Sequence, residues 1–195
     1  MKKIPTLFQR VYDEKGRVIG ITEEVTPGCE WVFNGEGVAT IKWDGACCAI
    51  LKKKFYKRYD AKRGKTPPEG AIPCCDPDPV TGHWPHWVEV DPDNPADKWF
   101  AAAKENYVSL RKLKGAPILS GTYEAIGEHF QGNPYKIQGD TLVPHGDDPI
   151  ILPERSFEGI RDYLSKNAIE GIVFWKGDKP RCKIKRKDFG LKWPV

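Results

Sequence analysis

The sequence predicts an antiparallel, strand-dominated α+β domain, and three observations carry that expectation. Short apolar runs recur with the two-residue alternation of half-buried strands, and Gly- and Asn-containing turns separate them. Only two stretches switch to the 3.6-residue period of an amphipathic helix, so helices are expected to flank the sheets rather than alternate with every strand. At 195 residues with 39% hydrophobic content the chain can bury one sizeable core, so a single domain over residues 1–195 is expected.

Along the chain, residues 9–12 and 18–21 read as strands around the turn DEKG, and Asn34-Gly35 carries a hairpin-turn signal. The apolar runs 38–41 and 46–51 read as two strands meeting at a tight Asp44-Gly45 turn, and a further strand covers 55–59. From 66 to 97 there is no Lys or Arg, and eight of the 17 prolines fall there; this predicts a long ordered loop with one strand at 87–90. A helix follows, capped by Asn94 with Pro95 in its first turn and Trp99, Ala103, Tyr107 and Leu110 on one face, ending by Gly115. Residues 118–126 form the next strand, and the loop GEHFQGNPY leads to a short strand centred on Leu142 and Val143. A second helix starts near Ser156, shows Phe157, Ile160 and Leu164 on one face and stops at Asn167, before closing strands at 171–175 and 181–186.

No apolar run approaches the roughly 20 residues a membrane helix needs, and the start turns polar too soon for a secretion signal, which points to a cytoplasmic protein. Two of the cysteine pairs are sequence neighbours, Cys47-Cys48 and Cys74-Cys75, a spacing unsuited to a disulfide framework; reduced thiols are expected. The formal charge of +4 hides segregation. Residues 52–65 carry eight Lys or Arg against one Asp, residues 176–192 eight against two, and the rest of the chain 15 basic against 24 acidic. Brought together, the two basic segments would form one phosphate-attracting surface; apart, they are two solvated strand faces.

Within this pattern Lys42 stands out, because it lies between two apolar runs where a structural strand would carry Val or Thr. Partial desolvation would push such an amine toward its neutral, nucleophilic form, whereas a stem lying along the sheet would let the head reach water. Four strings place charge against apolar strands: KWDG (42–45), GTYEAIG (121–127), EGIVFW (170–175) and KIKRKDFG (183–190). In this order they resemble the covalent nucleotidyltransferases, the superfamily of ATP-dependent DNA ligases, RNA ligases and capping guanylyltransferases. KWDGACC, YKRYD, YEAIG with QGNPY, LVPHG, EGIVFW and KIKRKDFGLKW together look like a family of small RNA ligases related to the human 5′-to-3′ RNA ligase. The resemblance spans residues 37–193 and implies an antiparallel, ATP-grasp-like adenylation fold with flanking helices.

The same resemblance implies roles. Lys42 would attack the α-phosphorus of ATP and hold AMP as a phosphoramidate. Lys183 and Lys185, alternating on one strand, would lower the Lys42 pKa by like-charge repulsion and stabilise charge on the phosphate. Glu124 and Glu170 would bind Mg²⁺ or Mn²⁺ or orient the ribose and the lysine, since a hard ion prefers carboxylate oxygen. Arg58 suits the nucleotide or the acceptor 5′-phosphate, Asp44 and Gly45 shape the turn, and the Ile41 peptide would read the adenine edge. The AMP would pass to an RNA 5′-phosphate, and a 3′-hydroxyl would then close the phosphodiester. RNA would be gripped by the basic segments, with Phe55, Tyr56, Tyr59 and Trp193 either stacking on bases or buried as core.

Cys47 stands where DNA ligases commonly carry an arginine, which favours the RNA group. Only five residues follow KIKRKDFG, so no oligonucleotide-binding barrel is expected. Rival readings are a DNA ligase, a GTP-using capping enzyme, or a non-catalytic nucleic-acid-binding module on the same fold. Cys74, Cys75, His83 and His86 invite a zinc reading, but adjacent cysteines chelate one ion poorly and the loop is better read as a lid or RNA-facing insertion. His129 and His145, in Gly-rich loops, read by default as surface turn histidines.

Overall fold

A computed structural model describes residues 3–79 and 81–195. It is a mixed structure of antiparallel sheets with two α-helices, as the alternation predicts. In chain order the strands are β1 (Phe8–Tyr12), β2 (Val18–Val25), β3 (Val38–Lys42), β4 (Ala46–Leu51), β5 (Lys54–Ala61), β6 (Ile72–Pro73) and β7 (Trp84–Glu89). Helix α1 (Lys98–Leu113) precedes β8 (Gly121–Gly127), β9 (Asp140–Pro144) and β10 (Pro149–Ile150); α2 (Phe157–Lys166) precedes β11 (Gly171–Lys176) and β12 (Lys179–Lys185). The described chain divides into two compact units, residues 44–145 and residues 3–43 with 146–195.

In the unit of residues 44–145, six strands lie in the order β6-β7-β5-β4-β8-β9. One face is apolar: Cys48, Ile50, Phe55, Tyr123, Ala125 and Leu142 are buried with Ala103 and Tyr107 of α1. Strand alternation sends the intervening residues to the opposite face, so the adjacent Cys47 and Cys48 point to different environments. In the other unit a four-stranded sheet, β10-β3-β11-β12, buries Ala39, Ile172, Phe174, Cys182 and Ile184 against Ile160 and Leu164 of α2, together with Leu7 and Phe8. Here too the odd and even residues of β12 part company: Cys182 and Ile184 enter the core while Lys183 and Lys185 take the other face. β1 and β2 form a separate hairpin in which Asp13 accepts from the backbone of Lys15 and Arg17.

Several expectations are corrected. β3 and β4 do not pair across Asp44-Gly45; β3 joins the four-stranded sheet and β4 the six-stranded one, so KWDG carries the chain from one sheet to another. No hairpin turns at Asn34-Gly35, because Glu30–Val32 forms a 3-10 turn that buries Val32. The proline-rich stretch holds two strands, β6 and the longer β7, since Trp87 and His86 pair with Ile72 and Pro73. Asn94 caps a 3-10 turn rather than α1 itself, accepting from Ala96 N. On α1 only Ala103 and Tyr107 are buried; Trp99 and Leu110 are exposed, so its apolar stripe is narrower than the spacing suggested. α2 matches closely: Ser156 Oγ accepts from Gly159 N, and Ile160 and Leu164 are fully buried. All six cysteines are unbridged, and among the described residues no helix is long and apolar enough to cross a membrane.

Candidate active site

Across the four-stranded sheet the register sets Lys42 and Lys185 on either side of Gly171. Two residues along, on the same face, Thr40 and Lys183 flank Val173 in the same way. Gly171 is required there, because a Cβ would stand 2.2 Å from the Ile184 carbonyl oxygen and 2.9 Å from Lys185 Cα. The bare backbone leaves the space above it to the two lysine side chains and to Glu170, the residue just before β11. Glu170 is buried, 6% exposed, and bridges them: Oε2 accepts from Lys42 Nζ and Oε1 from Lys185 Nζ at 2.6 Å. A second acidic anchor, Asp188, fixes the end of β12 by accepting from Lys185 N at 2.8 Å and pairing with Arg10 at 3.7 Å.

Lys183 and Lys185 share a face, as the alternation of β12 predicted, and the register brings Lys42 beside them; Glu170 meets Lys42, and its bridge from Lys42 to Lys185 was not foreseen. Like-charge repulsion is resolved at Lys183. Burial first, then the nearby Lys42, Lys185 and Arg10, push its ammonium down from 10.5 to about 8, with Glu170 opposing. Ile41 N–H, which the resemblance gives to adenine, donates to Asp148 O at 3.0 Å, and Trp43 Nε1 donates to the carboxylate of the same residue at 2.8 Å.

The remaining residues named from the sequence belong to the six-stranded unit. Glu124 Oε1 accepts from Gly45 N at 3.2 Å, and Oε2 lies 2.9 Å from His145 Nε2. Asp44 N donates to the Tyr135 hydroxyl at 2.6 Å, and Gln131 donates to Gly45 O at 3.2 Å. Gly45 has no room for a side chain, since a Cβ would meet Ala125 O at 2.2 Å. Arg58 pairs with Asp60 at 2.8 Å and also faces Cys47. Cys47 stands directly opposite Glu124 across β4 and β8. Its thiol is pushed up to about 12, chiefly by burial and then by the Glu124 charge, against the guanidinium of Arg58.

Sequence reasoning missed what His145, Tyr135 and Gln131 do, although each lies inside a string already singled out, LVPHG or QGNPY. His145 is not a surface turn histidine; its side chain is 18% exposed and held at both ring nitrogens, by Glu124 and by Thr122 Oγ1 at 2.9 Å. His129 stacks on Trp99 and pairs with the buried Asp140 at 2.8 Å. The basic segments are partly neutralised within their own units. Lys57 pairs with buried Asp97, Lys54 with Glu89, Lys176 with Glu36, and Arg186 is itself buried. Of the four aromatics, Phe55, Tyr56 and Trp193 are buried as core and only Tyr59 is exposed. In the first basic segment Lys52, Lys53, Lys62, Arg63 and Lys65 remain on the surface.

This chain is similar to curated RNA ligases. It is 30% identical over 139 residues to RNA ligase 1 of Danio rerio, matching 58% of this chain and 43% of that protein. RNA ligase 1 of Pongo abelii is 28% identical with the same shares. RNA ligase 1 of Rattus norvegicus is 26% identical over an alignment of 233 positions, covering 84% of this chain and 70% of the rat protein. The match thus spans less than half the length of the first two relatives. No family model matches the chain. The likeness to RNA ligases read from the six strings is borne out by these relatives.

Proposed function

We propose that this chain is the adenylating domain of an ATP-dependent RNA ligase of the covalent nucleotidyltransferase superfamily, acting through Lys42. The observation that carries the reading is the cluster on one sheet face: Lys42, Glu170 and Lys185 linked in series, with Lys183 beside them. A solvated strand face would not bury a carboxylate between two ammonium groups and set a third next to them. The similarity to proteins named RNA ligase 1 supports the choice of RNA as substrate.

In this reading Glu170 holds the Lys42 amine in place and is the group positioned to take its proton. The freed amine attacks the α-phosphorus of ATP; an N–P bond forms, the P–O bond to pyrophosphate breaks, and AMP stays on Lys42. Lys183 and Lys185 stabilise the negative charge that builds on the phosphate. The AMP then passes to an RNA 5′-phosphate, forming a phosphoanhydride and freeing Lys42, and a 3′-hydroxyl displaces AMP to make the phosphodiester. Glu124 and Arg58 serve the nucleotide or the 5′-phosphate, and Asp44 and Gly45 are fixed by Tyr135, Gln131 and Glu124.

The reaction calls for Mg²⁺ or Mn²⁺, whose chemistry is to neutralise phosphate charge. Glu170 offers two carboxylate oxygens with lone pairs beyond those given to the lysines, a donor type that fits a hard ion completed by water. Glu124 offers the same oxygens in its own unit.

Intact mass spectrometry after exposure to ATP and Mg²⁺ tests the proposal. The expected result is a gain of one AMP, absent with GTP and in Lys42→Ala, followed by its loss on addition of 5′-phosphorylated RNA. A chain that gains no AMP, or gains it equally in Lys42→Ala, would overturn the reading.

A further inference from the structure

The six-stranded unit assembles three different metal-ligating side chains that the ligase reading does not need as a group. Cys47 lies on β4, Glu124 opposite it on β8, and His145 immediately after β9. Their ligand atoms all lie within 4.8 Å of one another, and among the described residues this is the grouping of three such side chains that comes together. Cys74, Cys75, His83 and His86 do not form such a group. His86 is instead buried, with Nδ1 on the Trp84 carbonyl oxygen at 2.8 Å.

We propose that Cys47, Glu124 and His145 bind a borderline divalent transition-metal ion of the Zn²⁺ class. Three features beyond proximity support this. The donors are a thiol sulfur, an imidazole nitrogen and a carboxylate oxygen, a set that suits Zn²⁺ and does not suit Mg²⁺. His145 is aimed by an outer partner: Thr122 Oγ1 holds Nδ1 at 2.9 Å and the His145 backbone N–H is tied to Thr122 O at 3.0 Å, so Nε2 is the nitrogen that faces Glu124. Glu124 is likewise held at Oε1 by Gly45 N.

Zn–S bonds near 2.3 Å and Zn–N or Zn–O bonds near 2.1 Å place tetrahedral ligands about 3.3–3.7 Å apart. The present atoms lie within 4.8 Å of one another, with His145 Nε2 and Glu124 Oε2 at 2.9 Å, so an ion would part the nitrogen and the oxygen slightly. Binding exchanges one proton for the metal: the thiol proton of Cys47 leaves to solvent, while the neutral imidazole of His145 ligates through Nε2 and carries its single ring proton on Nδ1, where it donates to Thr122 Oγ1. Three protein ligands leave a fourth position open to water. If the ligase reading also holds, the ion takes Glu124 from the nucleotide, but binding itself does not depend on that reading.

Titration of the full chain with Co²⁺, without nucleotide and with a phosphine reductant, tests the site through the thiolate-to-cobalt charge-transfer absorption. The expected result is one equivalent bound with that band, loss of the band in Cys47→Ser, and binding weaker by at least about tenfold in His145→Gln. Far-ultraviolet circular dichroism identifies any variant that fails to fold, and Thr122→Val, which leaves all three ligands in place, is expected to weaken binding about 10- to 100-fold. A band that persists in Cys47→Ser would put the ion on other thiols and overturn the proposal, as would the absence of the band in the wild-type chain. Failure of Lys42 to take AMP would leave the cobalt result unchanged, so the two readings fail separately.

Discussion

Lys183 makes the pH dependence of stability calculable. Its ammonium is desolvated on β12 beside Lys42, Lys185 and Arg10, and the fold lowers its pKa from 10.5 to about 8. The unfolded chain keeps that proton up to about 10.5, whereas the folded chain releases it near 8. Between those values the unfolded state binds more protons, so stability attributable to this group rises with pH across the window and is constant below and above it. The gap between the two values corresponds to about 3 kcal/mol of destabilisation below pH 8. Replacing the residue by Met keeps the stem and removes the charge. Lys183→Met is therefore expected to be more stable than wild type below pH 8, by up to about 3 kcal/mol, with the advantage shrinking between 8 and 10.5 and vanishing above. Urea midpoints of the two proteins at matched pH give the difference curve, in which groups remote from Lys183 cancel. A difference that stays flat from below pH 8 to above 10.5, or a wild type that is the more stable at low pH, would refute the reasoning.

Glu170→Gln keeps the shape but withdraws the negative charge from between Lys42 and Lys185; AMP transfer to Lys42, followed by rapid quench with labelled ATP, is expected to slow by about 100-fold, and an unchanged rate would remove Glu170 from the proposed step. Gly171→Ala forces a Cβ to within 2.2 Å of Ile184 O; thermal unfolding should show a loss of about 2 kcal/mol or more, and a loss below about 0.5 kcal/mol would show that β12 gives way freely. Arg186, although it sits in the basic segment 176–192, donates to the carbonyls of Leu164 and Asn167 at the end of α2 and to Lys192 O. Arg186→Met should cost about 2 kcal/mol or more by leaving those carbonyls unpaired, the buried one of Leu164 above all, with RNA affinity of the folded fraction unchanged in a salt titration.

The local periodicities were legible because they depend on neighbours in the chain. The alternation Cys182, Lys183, Ile184, Lys185 fixes which residues can be buried together whatever sheet the strand joins. The Ser156 cap and the Ile160 and Leu164 spacing fix α2 for the same reason. Strand partners were not legible. β3 and β4 are separated by three residues that read as a turn, yet they enter different sheets, because hydrogen-bonding partners are chosen by residues as distant as Gly171 and Glu124. The chemistry divides along the same line. Residue types and their order pointed to Lys42, Lys183, Lys185, Glu124 and Glu170, but only the tertiary structure placed Glu170 between two lysines and His145 against Glu124. It also turned Arg186, Lys57, Phe55 and Trp193 from surface candidates into buried or paired groups. A sequence determines which side chains share a face of one strand; which faces meet, and hence which charges are desolvated together, is decided by contacts between residues far apart in the chain.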